Sequence, residues 1–192
     1  IFRGVDWIFY PTSFLAQCDS CIGGKTSINF HDHKNQLGNF NPPKKIFIDI
    51  KFLKSISKKD TTSGIGEMAH YYLVAGSKEK NFFVNNYKRA LNHDLKISEQ
   101  LIYKCLKIKK FFIEKDEFDK KERLLLNYGH TYGHAIETLT GYQIPHGIAV
   151  AHGMNIANFL SFKYGFLDYE SFLELQCVLK DIYSKFKIKN FD

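Results

Sequence analysis

Hydrophobic and polar positions follow two different rhythms along the 192-residue chain. Up to about residue 56, apolar residues come in short runs of β type: Trp7-Ile8-Phe9-Tyr10, stopped by Pro11, and Ile46-Phe47-Ile48-Asp49-Ile50. Clusters of glycine, asparagine and proline, CIGGKTS and LGNFNPP, lie between them, as turn segments lie between strands. From about residue 60 the spacing changes to three and four, so that Ile97, Leu101, Ile102, Cys105, Leu106, Ile108, Phe112 and Ile113 share one helix face. The same spacing predicts helices near 62–76, 80–92, 123–140, 147–164 and 168–185, all without proline. Gly141 and Gly165 stand where C-terminal caps belong, and Pro145 falls in the loop between two helices. The expected architecture is an α/β part over 1–56 followed by an all-α domain over 57–192. The junction between them should be packed, and its cleft is a natural place for a ligand.

Composition narrows the function classes. Hydrophobic residues make up 44% and charged residues 24%, enough for a core and too little charge for a disordered chain. The formal charge is +7, from 27 Lys and Arg against 20 Asp and Glu. Its lysines are dispersed, as in KKIFIDIKFLK, KISEQLIYKCLKIKK and FDKKER, which suits solvated helix faces better than a nucleic-acid partner. No apolar run approaches the roughly 18 to 20 residues of a membrane span, and IFRGVDWIFYP lacks the features of a signal peptide. A cytoplasmic protein without a membrane partner is the expectation. Four scattered cysteines fit a reducing compartment. Cys18 and Cys21 form a C-x-x-C, but no second cysteine pair completes a zinc site.

Candidate chemistry is densest in RLLLNYGHTYGHAIETLTGYQIPHGIAVAHG, residues 123–153. His130 and His134 are four apart, one turn along a helix face, as a shared metal or a shared anion requires. His146 opens the next helix and can turn back toward the same point. Glu67, flanked by Gly64, Gly66 and Met68, offers an oxygen ligand from another helix. Two histidines, a carboxylate and an open position make a catalytic zinc site. The plainer alternative is an ordinary polar helix face, since i, i+4 histidine pairs also arise by chance. Glu67 and His70 form one E-x-x-H, whereas di-iron bundles need two. In DSCIGGKTSINFHDHKNQLG the phosphate-loop spacing fails, because Asp19 stands where its first glycine should be. That stretch reads as a flexible turn presenting Lys25, Lys34 and Asn35 to an anionic, hydroxylated molecule.

Five segments in order, PTSFLAQCDSCIGGKTSIN, HKNQLGNF with IFIDI, SGIGEMAHYYL, KDEFDKKERLLLNYGHTYGHAIE and PHGIAVAHGM, resemble the 3-dehydroquinate synthase family of sugar-phosphate cyclases. The resemblance covers about residues 1–165. It implies the end of a Rossmann-like NAD-binding domain over 1–56 and a helical zinc- and substrate-binding domain over 57–192, cut at both sides. It makes Glu67, His130 and His146 the ligands of Zn2+ or Co2+ and turns His134, with Asn127, toward the substrate phosphate. Lys109 and Arg123 match the cations that hold the substrate carboxylate. Asp19, Lys25 and Asn35 match residues around the ring hydroxyls, with Lys25 and Lys34 also near the cofactor. Thr12, Ser13 and the segment Phe52, Leu53, Lys54 and Ser55 match stretches lining the NAD pocket.

The implied reaction converts 3-deoxy-D-arabino-heptulosonate 7-phosphate to 3-dehydroquinate and phosphate, with NAD reduced and restored in each turnover. Lys25, Asp19 and His134 are the implied catalytic residues, His134 as a proton carrier. A homodimer is implied for the full-length enzyme. Two positions depart from the family pattern: His70 replaces a lysine and Ile148 replaces an acidic residue. His70 is still expected to meet a substrate oxygen, with a charge set by its surroundings. The family's glycine-rich cofactor loop and a C-terminal lysine segment are absent from the sequence, so the chain alone is expected to bind NAD poorly and to be inactive. Other readings are a cyclase for a different heptulose phosphate, a metal-dependent polyol dehydrogenase, and a non-catalytic or nucleic-acid-binding remnant.

Overall fold

The computed structural model describes residues 4–31, 33–186 and 188, with the side chains of Asn29, His33, Lys34 and Asn35 outside the described set. The N-terminal part holds two strand pairs among the described residues. Strand β1 (Ile8–Phe9) runs parallel to β4 (Lys45–Ile46), and β2 (Ile28–Phe30) runs antiparallel to β3 (His33–Leu37). The first pair shortens both predicted runs. Asp49 ends the second of them by accepting a hydrogen bond from the Lys51 amide at 2.9 Å, which turns the chain into a 3₁₀ segment, Ile50–Lys54. The predicted flexible turn contains the β2–β3 hairpin instead. Its base is clamped where the Thr26 amide donates to the Asn39 carbonyl at 3.0 Å and the Asn41 amide to the Gly24 carbonyl at 2.8 Å.

Among the described residues six α-helices follow: α1 (Lys58–Val74), α2 (Ser77–Leu91), α3 (Leu95–Lys115), α4 (His130–Leu139), α5 (His146–Lys163) and α6 (Tyr169–Tyr183). Three begin on side-chain caps that accept from a backbone amide: Ser57 from Asp60, Asp94 from Ile97 and Asp168 from Ser171. Helix α1 starts four residues earlier than predicted because Ser57 caps it there. Every residue from Thr61 to Tyr72 is buried, so α1 is the centre of the bundle, with α2, α3, α5 and α6 against it. Ile65, Met68, Ala69 and Tyr72 pack with Phe83, Leu101, Cys105, Met154 and Leu179 in the main core. Tyr72, Phe83 and Tyr87 stack in series, and the Tyr72 hydroxyl donates to the Leu101 carbonyl at 2.7 Å. Cys18, Cys21 and Cys105 are buried free thiols.

The predicted helix over 123–140 is two elements. A 3₁₀ segment, Glu122–Asn127, leads to Gly129 in the left-handed region at φ +81°, after which α4 begins. A Cβ at Gly129 would lie 2.5 Å from the Met154 side chain and 2.8 Å from its backbone nitrogen. Only glycine allows that turn so close to α5. The start of α5 meets the middle of α1 in a similar way. A Cβ at Gly66 would stand 2.2 Å from the Gly147 carbonyl oxygen, and one at Gly147 would stand 1.8 Å from that of Ser63. The Gly147 amide donates to Ser63 Oγ at 3.1 Å across this contact. Glu67 and His146 are the immediate neighbours of these glycines, so the close crossing sets their separation.

Candidate metal and substrate site

A cavity of about 470 Å³ opens where the N-terminal part meets the helices. Its walls come from the segment around the π-helical turn Ala16–Ser20, from α1 and α3, from the 3₁₀ segment before α4, and from the starts of α4 and α5. Of the residues singled out from sequence, Asp19, Lys25, Glu67, His70, Lys109, Arg123, Asn127, His130, His134 and His146 all line it.

Glu67 is 2% exposed and stands at the focus of the histidines. Its Oε1 lies 3.6 Å from His130 Nε2, and its Oε2 lies 3.3 Å from His146 Nε2. The ligand atoms of His130, His134 and His146 lie within 4.8 Å of one another, as do those of Glu67, His70 and His130. The other His146 nitrogen, Nδ1, is 3.0 Å from Glu137 Oε2, a carboxylate at 5% exposure. His130 Nδ1 is 3.3 Å from the Tyr128 carbonyl. Each ring thus turns Nε2 inward and anchors Nδ1 outward, the arrangement that fixes the tautomer of a metal-binding imidazole.

Electrostatics point the same way. Burial works against a charge on Glu67, yet hydrogen bonds from His130 and His146 bring its carboxyl well below the usual range. Burial also opposes a charge on His146, but Glu137 and Glu67 together raise it to about 10. For His70 burial prevails over the attraction of Glu67 and lowers it to about 4, leaving a neutral imidazole. Both ring nitrogens of His70 are buried with no hydrogen-bond partner among the described residues. A buried carboxylate ringed by imidazoles with unfilled polar atoms suits a divalent cation, which would satisfy groups that otherwise lie desolvated.

The opposite wall is cationic, and its cations have partners. Lys109 Nζ, 7% exposed, donates to Asp19 Oδ1 and to the Asp19 carbonyl, both at 2.7 Å. Asp19 Oδ1 also accepts from the Tyr71 hydroxyl. Lys25 pairs with Asp119 at 2.6 Å. Arg123 is 3% exposed, and its Nη1 donates to the Glu117 carbonyl at 2.6 Å.

The NAD-lining candidates Thr12, Ser13, Phe52, Leu53, Lys54 and Ser55 are not among the cavity-lining residues. They follow the carboxyl ends of the parallel strands β1 and β4, where open α/β sheets bind ligands, although Leu53 itself is 2% exposed and part of the core. The side chains of Lys34 and Asn35 lie outside the described set. Three residues that sequence reasoning passed over shape the site: Glu137 behind His146, Tyr71 on Asp19 and Asp119 on Lys25. Glu137 had a signal, since GHAIE places it three residues after His134 on a helix. The other two pairings join residues 52 and 94 positions apart, and nothing local marks them.

Two family models account for the chain: one described as 3-dehydroquinate synthase N-terminal over residues 1–63 and one as 3-dehydroquinate synthase C-terminal over residues 64–192. Among curated relatives, the 3-dehydroquinate synthase of Dictyoglomus thermophilum is 43% identical over 178 residues, covering 92% of this chain and 50% of the relative. That of Dictyoglomus turgidum is 41% identical over 189 residues, covering 98% of this chain and 53% of the relative. The chain therefore spans about half the length of these relatives. A solved 2-deoxy-scyllo-inosose synthase, complexed with carbaglucose-6-phosphate, NAD+ and Co2+, superposes with a TM-score of 0.90 at 29% identity. That match covers 99% of this chain and 52% of the other.

Proposed function

Since this chain belongs to the 3-dehydroquinate synthase family, we propose that it carries the metal and substrate site of a carbon–oxygen lyase that converts 3-deoxy-D-arabino-heptulosonate 7-phosphate to 3-dehydroquinate with loss of phosphate. The observation that carries this reading is the convergence of Glu67, His130 and His146 with Lys109, Arg123 and Asn127 on one cavity. Its volume suits a small phosphorylated acid. Glu67, His130 and His146 would hold Zn2+ or Co2+. Thr12, Ser13, Lys25, Lys34 and the segment 52–55 would face NAD. When bound, the metal supplies a Lewis acid for a substrate oxygen and NAD supplies a transient hydride acceptor.

The chain's own residues bind and orient. Lys109 and Arg123 are nearly enclosed cations, and a carboxylate arriving between them would be desolvated and held in one orientation. Asp19 fixes the Lys109 ammonium, and its carboxylate would accept hydrogen bonds from ring hydroxyls. Asn127 and His134 would face the phosphate, with a ring nitrogen of His134 carrying the proton that the departing group requires. Lys25, once released from Asp119, would turn its ammonium to the cofactor.

The test is phosphate release from the heptulosonate by the full-length protein carrying this chain. Activity should be lost with a chelator, restored by Zn2+ or Co2+, and lost in Glu67→Gln. Preference for a carboxylate-free sedoheptulose phosphate would overturn the substrate while keeping the family. Net accumulation of NADH would point to a polyol dehydrogenase.

A further inference from the structure

We propose that His70 is a fourth protein ligand of the metal held by Glu67, His130 and His146, so that the ion sits among three imidazoles and one carboxylate. The inference rests on the metal site proposed above and extends it. Two ligand atoms, each about 2.0–2.1 Å from a zinc-like ion at a tetrahedral angle, stand about 3.3–3.4 Å apart. Glu67 Oε2 lies 3.3 Å from His146 Nε2, and its Oε1 lies 3.6 Å from His130 Nε2 and 3.9 Å from His70 Nδ1, so the three contacts run from that value to about 0.6 Å above it. The ligand atoms of Glu67, His70 and His130 share one 4.8 Å neighbourhood. Spacing of i, i+3 on α1 puts Glu67 and His70 on the same helix face, so the pair reaches the ion as a chelate from one rigid element.

Among the described residues nothing else makes a hydrogen bond to the His70 ring. It is 1% exposed, and neither nitrogen has a hydrogen-bond partner. A histidine kept only for packing normally finds a backbone carbonyl or hydroxyl for its N–H. The ring is fixed from two sides, with centroids 3.9 Å from Tyr71 and 5.0 Å, edge-on, from His130. Sequence reasoning gave His70 to a substrate oxygen, but it lies beside Glu67, deeper than the more open His134 and His146. Three imidazoles and a carboxylate suit zinc or cobalt, and such a set must expand its coordination to admit a substrate oxygen.

The experiment uses the full-length protein loaded with one equivalent of Co2+, with X-ray absorption counting the imidazoles, visible d–d spectra reporting geometry, and chelator competition giving affinity. The wild-type ion is expected to show three imidazoles, falling to two in His70→Ala and His70→Gln with a changed d–d spectrum. Affinity should weaken by about 100-fold or more, beyond the 10- to 100-fold typical of outer-shell changes. Two imidazoles in the wild type, or variants with unchanged affinity and spectrum, overturn the assignment of His70. A wild type that takes up no metal overturns the metal site itself. If neither variant folds, His134→Ala decides: three imidazoles kept in that variant support His70, and a fall to two overturns it.

Discussion

Gly66→Ala probes how helix spacing governs the site. The added Cβ would stand 2.2 Å from the Gly147 carbonyl oxygen and 2.7 Å from its carbon. Ordinary contact begins near 3.4 Å, so the shortfall is about 1.2 Å, and backbone atoms cannot rotate out of the way. Helices α1 and α5 must move apart by roughly 1 Å. Overpacking of this kind costs about 1–3 kcal/mol. At about 2–4 °C per kcal/mol for a chain of this size, the melting temperature should fall by roughly 2–12 °C. Glu67 and His146 sit next to the two glycines, so their 3.3 Å separation would open by a similar amount. Metal–ligand distances tolerate about 0.2 Å, and zinc affinity should therefore drop together with stability. Calorimetry with and without zinc, combined with chelator competition, measures both. Gly76→Ala is the control: its φ of +102° strains an alanine, but nothing lies within 4 Å of the new Cβ, so it should lower stability and leave affinity intact. Wild-type zinc affinity in Gly66→Ala would refute the argument that this crossing sets the ligand spacing.

Three further outcomes follow from pairs described above. Glu137→Gln keeps the shape but weakens the anchor on His146 Nδ1, and metal affinity should fall by about 10- to 100-fold in competition titrations. Lys109→Met leaves Asp19 without its buried cation and should cost about 3 kcal/mol in urea unfolding, whereas the double change with Asp19→Asn should recover part of that loss. The carboxyls of Asp94 and Asp168 are held below the ordinary range, chiefly by the amides of Ile97 and Ser171. A depressed folded-state value means stability that is present above the unfolded value near 4 and lost as pH falls through the folded one. Asp94→Asn with Asp168→Asn keeps the caps and should flatten the melting-temperature decline between about pH 5 and pH 2. An unchanged acid limb would show that other carboxylates dominate it.

What could be read in the sequence was what local spacing determines. The amphipathic face of α3 and the histidines of α4 and α5 follow from periods of three and four, and Gly141 and Gly165 do occupy left-handed positions after helix ends. Helix α1 was harder to place, because burial on every side removes the polar face that periodicity needs. The break before α4 was hidden because the close approach of Met154, remote in sequence, is what calls for Gly129. The hairpin at 28–37 has the sequence of a turn, because its base is held by Thr26 and Asn39 rather than by apolar alternation. In the site, the trio proposed to hold the metal is legible from residue type and the family motifs. Glu137 behind His146 carries a local signal too, whereas the pairings of Tyr71 with Asp19 and of Asp119 with Lys25 depend on how distant segments register after folding.

The enclosure of α1 has a kinetic consequence. Its contacts join Ser63 to Gly147 across 84 positions, and the neighbouring lock joins Asp19 to Lys109 across 90. Contacts this remote form late, since loop closure must precede them. Glu67 must then enter a low-dielectric interior near the end of folding, and its partners come from helices that dock at the same moment. Interactions absent from the transition state act on the escape rate rather than the folding rate. Metal bound there should lengthen the lifetime of the native protein many-fold while leaving its refolding rate nearly unchanged, so the centre works as a latch on unfolding as well as a place for chemistry.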